Sequence, residues 1–219
     1  MRITMNRGRL SASAPITAIG ALAVLLVLNS AAAQCLSRPV AMRMGVKLGL
    51  TACYYDPDDN TGVYSGTGMN IGVGMGSDFF GLLGFDMTPQ FRTTVYSRDE
   101  WWGRRTLSHN NIMFPLTLSL RAYMIPVVSP FIGLGIGFNI QLAGVERHEF
   151  ASGDAVEYEL NDTGLLGFLV FPMGVDIKLN KWRLEPSVTF NITGSGDEAN
   201  PPETLKRDID ISIGAYYSP

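Results

Sequence analysis

Apolar and small or polar residues alternate along most of this chain with a period of two. The clearest run is Pro130–Leu142. Ile132, Leu134, Ile136, Phe138, Ile140 and Leu142 fall on one parity; Gly133, Gly135, Gly137, Asn139 and Gln141 fall on the other. Successive side chains of an extended strand point to opposite faces, so this run has one aliphatic face and one small or polar face. A half-buried strand of a soluble sheet sustains such alternation over roughly five residues. Roughly ten are needed for a tilted strand to cross the hydrocarbon core of a bilayer.

The pattern recurs and predicts eight strands, at about Met42–Tyr54, Gly68–Ser77, Leu83–Tyr96, Asn111–Tyr123, Pro130–Leu142, Gly164–Leu179, Trp182–Ile192 and Arg207–Tyr217. The first half of the sixth is apolar on both parities (Leu165, Leu166, Phe168 to Phe171). Pro115, inside the fourth, marks a bulge or a locally unpaired position, because proline brings no N–H to a ladder. The connections alternate long and short. Asp56–Gly62, Ser97–Asn110, Gly144–Thr163 and Thr193–Lys206 are long and polar; Asp78–Gly81, Met124–Ser129 and Asn180-Lys181 are short. An even strand count with alternating connections is the pattern of a bacterial outer-membrane barrel, whose short turns are periplasmic and long loops extracellular. The expected fold is therefore all-β: an eight-stranded antiparallel up-and-down transmembrane β-barrel. Closure removes the edges that an open sheet would leave exposed in lipid.

Aromatic residues gather at both ends of the strands, as expected of two girdles at headgroup level. Tyr54, Tyr55, Tyr64, Tyr96, Trp101 and Trp102 lie at the long-loop end; Phe79, Phe80, Tyr123, Phe131, Trp182, Tyr216 and Tyr217 lie at the short-turn end. The inward parity carries Arg43, Lys47, Arg92, Arg121, Lys178 and Arg183 against Asp86, Asp176, Glu185, Asp208 and Asp210. Signs so nearly balanced predict a lumen filled by ion pairs, since a buried charge must be paired. Eight strands leave an interior just wide enough for side chains. A soluble lipocalin-like binding barrel would need the aliphatic parity to face inward, and a small-solute channel would need more strands or a lumen lined by one sign of charge.

Charged residues make up 17% of the 219 and the net charge is −3. That is lean for a soluble domain and lacks the basic stripe of a nucleic-acid binder. Residues 1–34 differ from the rest: Arg2, Arg7 and Arg9, an apolar run from Ile16 to Leu28, then Ala31-Ala32-Ala33. This is the order of a secretory signal peptide, leaving 35–219 as the barrel domain. The alternatives are an uncleaved anchor and a lipoprotein signal acylated at Cys35, where the preceding Gln34 breaks the small-residue requirement. Cys35 and Cys53 would sit at opposite ends of the first strand, too far apart for the ~7 Å limit on Cα atoms of a disulfide.

Catalytic signals are thin. His109 and His148 lie in predicted loops, and Ser108 beside His109 is a poor dyad because neighbours on a strand face apart. Asp56, Asp58, Asp59 and Asn60 lack the glycine and terminal glutamate of a calcium loop. The Gly-x-Gly runs at 72–76 and 133–137 are not phosphate loops, because no helix follows them. No enzyme activity, metal or cofactor is expected. The Trp101-Trp102 dipeptide is the candidate loop contact.

The export-like start, the eight alternating strands and the Pro-Phe-Ile-Gly-Leu-Gly-Ile-Gly-Phe segment at 130–138 resemble the small outer-membrane β-barrel family, comprising OmpA/OmpX-like barrels and porin-family outer membrane protein β-barrel domains. The resemblance covers about residues 42–219. It implies a monomer in outer-membrane lipid, inserted by the barrel-assembly machinery, with a structural role or an extracellular partner reached through the long loops. The family usually ends on an aromatic residue that this machinery reads; here Tyr216-Tyr217 precede Ser218-Pro219.

Overall fold

The computed structural model describes residues 40–56, 63–122, 127–160, 165–195 and 204–219. Residues 1–34, Cys35, Asp58 to Asn60 and Tyr123, all named above, lie outside them. The strands are β1 (Val40–Asp56), β2 (Tyr64–Phe79), β3 (Leu83–Met87), β4 (Gln90–Glu100), β5 (Gly103–Arg121), β6 (Val128–Phe150), β7 (Ala155–Leu160), β8 (Leu165–Leu179), β9 (Trp182–Ser195) and β10 (Thr204–Tyr217). All pairings are antiparallel, and β1 pairs with β10 as well as β2, which closes the sheet. Around the ring β3 and β4 together occupy one place between β2 and β5, while β8 stands between β6 and β9. Eight places close one barrel.

The aliphatic parity faces out. Leu50, Met69, Ile132 and Ile211 are each about three-fifths exposed or more (65%, 66%, 59% and 65%), whereas Arg43, Arg92, Arg121 and Asp176 on the other parity are buried. A soluble binding barrel has the reverse arrangement, so the lipocalin-like alternative is excluded by the direction of the side chains. Inward glycines make room for what fills the lumen. A Cβ on Gly137 would meet Phe168 at 2.3 Å, and one on Gly74 or Gly214 would meet Tyr216 at 2.5 or 2.4 Å.

The break between β3 and β4, at Thr88-Pro89, accounts for Pro115. The backbone groups of one residue share a side of the strand. The Pro115 carbonyl accepts from the Thr88 N–H at 3.2 Å, so the missing Pro115 N–H also faces the break, where it leaves the return bond to Thr88 unmade. Of the two readings given for Pro115, the locally unpaired position holds. The bulge lies elsewhere: Asn111 faces Gln141 and Asn110 faces Ala143, which leaves Leu142 as the extra residue on β6. Beyond it the parity of β6 inverts.

Two predicted connections are corrected. Ser97–Asn110 is not a loop: β4 and β5 run on as a hairpin whose turn is Trp101-Trp102, with Glu100 facing Gly103. Gly144–Thr163 likewise contains the end of β6 and its return in β7. With the β5–β6 ladder, these strands form a four-stranded sheet projecting beyond the barrel. Both faces of a projecting sheet meet water, so the apolar alternation that marks a spanning strand is lost while the ladder continues. At the opposite end two connections are tight. Phe80 (φ 53°) and Gly81 (φ 68°) turn β2 into β3, and Asn180 (φ 60°) turns β8 into β9.

Ile136 lies near the middle of the outward row of β6. Ile136→Arg is expected to destabilise the folded barrel in lipid vesicles by about 2–4 kcal/mol, the usual cost of a charge at the midplane. A denaturant titration followed by tryptophan fluorescence measures this, and an unshifted midpoint would refute an outward lipid face.

Candidate functional site

The short-turn half of the lumen is organised around Arg121, which β5 delivers from its last residue. Its guanidinium lies 3.2 Å from Asp78, 3.4 Å from Asp86, 3.2 Å from Asp176 and 3.3 Å from Glu185. Arg43 completes Asp86 and Glu185, the latter at 2.7 Å, and Arg183 completes Asp78 and Asp176. Arg121 and Arg43 also lie 5.0 Å from the ring centroids of Phe131 and Tyr216. Three cations and four carboxylates from β1, β2, β3, β5, β8 and β9 thus meet across the lumen. Charge-assisted bonds of this kind are the strong ones, and a partner removed here would strand a buried charge.

A second cluster lies toward the long-loop end. Arg92 bonds Asp208 at 2.7 Å and also Asp210. Asp210 accepts in addition from Thr51 (2.6 Å) and Asn191 (2.7 Å). Between the clusters, Met113, Phe168 and Val170 pack as an apolar group inside the lumen. A cavity of about 40 Å³ is bordered by Lys47, Asp86, Glu185 and Asp210 among others. Above, Cys53, Tyr64, Tyr96 and Leu107 close the lumen, with Tyr55 and Leu160 packed on them.

An apolar wall around a paired polar interior, closed strand to strand, answers every requirement of a spanning sheet. This is the fold of the small outer-membrane β-barrels.

Comparison with solved structures finds likenesses at low identity. The crystal structure of Neisserial surface protein A has 14% identity and a TM-score of 0.48, covering 80% of this chain and 96% of that one. Ail, the attachment invasion locus protein of Yersinia pestis, has 11% identity and a TM-score of 0.39, covering 80% and 98%. The outer membrane protein OprG from Pseudomonas aeruginosa has 14% and 0.40, covering 82% and 94%. No family model and no curated protein matches the chain.

The barrel brings together most of the predicted lumen charges: Arg43, Asp86, Arg121, Asp176, Arg183 and Glu185 in one cluster, Arg92, Asp208 and Asp210 in the other. Lys47 borders the cavity, and Lys178 shares the inward parity of Asp176. Asp78 was missed. It falls at the edge of a short turn, where parity alone does not tell a lumen residue from a loop residue. Several expected girdle aromatics are also corrected. Tyr64, Tyr96, Phe131 and Tyr216 are buried within the lumen, and Tyr55 packs there too. Tyr54, Phe80 and Trp182 remain outside, Trp182 with its centroid 5.5 Å from that of Tyr217. The doublets Tyr54-Tyr55 and Tyr216-Tyr217 straddle the wall, one ring on each side.

On the projecting sheet Trp101 is 94% exposed at the hairpin tip. Trp102 instead packs on His148 (5.0 Å) and Phe150 (5.5 Å), and His148 also meets Tyr158 (5.3 Å). The Leu142 bulge turns Glu146 and His148 toward Arg105, and Glu146 accepts hydrogen bonds from Arg105 and His148. Burial alone would raise the Glu146 carboxyl. The bonds and charges of Arg105 and His148 outweigh this and hold it below the usual range. The expected loop histidines therefore lie on strands. His109 faces inward beside Tyr96, its ring 5.9 Å away, while Ser108 pairs with outward Val95. The two residues take opposite faces and form no dyad.

Arg121→Leu is expected to destabilise the barrel by about 3–5 kcal/mol, because four carboxylates lose their shared cation. Urea unfolding in micelles measures it, and melting like the wild type would count against the ion-paired lumen.

Proposed function

We propose that the chain is a non-enzymatic, monomeric protein of the outer membrane, exported through its N-terminal segment and inserted by the barrel-assembly machinery, which presents its projecting sheet to an extracellular partner. The single observation that carries this reading is the contrast between the two ends. The lumen is closed by two ion clusters, an apolar group and a layer of tyrosines, while β4 to β7 extend a structured surface outward. Trp101 stands at its tip, and an exposed aromatic on a rigid hairpin is suited to contact. The channel alternative is disfavoured by the same filling, since a cavity of about 40 Å³ holds water rather than a solute.

Three outcomes are expected. Unboiled protein from detergent-extracted envelopes migrates differently on a gel from boiled protein; a heat-independent band in the soluble periplasmic fraction would overturn the membrane reading. Planar bilayers containing the pure protein show no discrete conductance steps, whereas reproducible steps would establish the channel. Trimming the hairpin at Asp99–Arg104 leaves the heat-dependent shift intact, because no lumen contact is removed.

A further inference from the structure

The outward face of the long-loop rim holds a cation that the lumen network does not use. Arg207 is exposed on β10, and among the described residues it has no carboxylate within ion-pair distance. It lies directly beside Tyr54 of β1 and Ile192 of β9. In-register residues project to the same face, so a guanidinium and a phenol form an outward pair of donors. Phe190 and Ile209, two residues toward the midplane from Ile192 and Arg207, line a groove of about 360 Å³ together with Ile192, Val63, Tyr54 and Arg207.

The height of Arg207 is set by its strand. Arg207 and Tyr217 are ten residues apart on β10, about 34 Å along a strand and about 26 Å along the normal at a 40° tilt. Tyr217 and Trp182 mark the short-turn rim. Arg207 therefore stands one hydrocarbon thickness above that girdle, at the depth of lipid headgroups. An exposed cation there, with an apolar groove on its membrane side, complements an amphiphile whose head is anionic and whose chain points toward the midplane.

We propose that Arg207, with Tyr54, binds the phosphate of an anionic lipid in the long-loop leaflet, while the acyl chain of that lipid lies along Phe190, Ile192 and Ile209. This rests on the membrane reading above. The alternative at this position is an arginine that merely snorkels to water without a defined lipid.

The test is native mass spectrometry of the barrel released from neutral detergent with phosphatidylglycerol or phosphatidylcholine, each sample also being run unboiled and boiled on a gel. The wild type should retain phosphatidylglycerol in preference. Arg207→Gln should bind it about tenfold more weakly, the scale of one charge-assisted hydrogen bond. Arg207→Lys should keep the preference, and Lys181→Gln at the opposite rim should leave it unchanged. Equal retention by the wild type and Arg207→Gln, both showing the heat-dependent shift, would overturn the site alone. Displacement of the lipid by equimolar inorganic phosphate would overturn the lipid as its occupant. Absence of the shift in every sample would overturn the membrane reading and the site with it.

Discussion

The structure depends on neutralising charge inside a narrow tube. Arg121 is the point where this is most concentrated, because one guanidinium serves carboxylates from β2, β3, β8 and β9. Ladder bonds join neighbouring strands; this cluster joins strands that face each other across the lumen. A slip of one residue in any of these strands would turn its carboxylate to lipid and leave the guanidinium short of a partner. The cluster therefore fixes register from within, and the inward glycines and the aliphatic wall are arranged around it. Phe131 and Tyr216 lie against the guanidiniums of Arg121 and Arg43 and join the cluster to the wall.

The architecture was legible in the sequence because two solvents impose a strict parity. Where lipid lies on one side and a packed lumen on the other, each residue type reports its direction, and Arg43, Arg92, Arg121, Arg183, Asp176 and Asp210 could be placed by counting. Legibility failed where the parity loses its meaning. Asp78 sits at a turn. The ends of β4, β5 and β6 leave the membrane, so their strands read as polar loops. Tyr55, Tyr64, Tyr96 and Tyr216 have the height of a girdle but the parity of the lumen, and the parity decides where their rings lie.

Pro115 shows the same lesson at the level of one bond. A proline in a spanning strand looks like an error until its neighbour is seen to be interrupted at Pro89. Pro115 offers no N–H to Thr88, and Pro89, whose carbonyl accepts from Val73 at 2.9 Å, turns its own backbone to β2, so the missing donors gather where the ladder is already interrupted. The polar lumen lies just behind this point, with Thr88, Gln90 and Pro115 bordering the internal cavity.

The extra residue at Leu142 separates two alphabets on a single strand. Below it, even-numbered positions of β6 belong to the bilayer and odd-numbered ones to the lumen; above it the assignment is exchanged, and neither face answers to lipid. The segment from Ala143 to Phe150 is thereby released from the rules that constrain the wall. Its side chains can diverge, and its outer surface can change identity, while the barrel that holds it aloft stays the same.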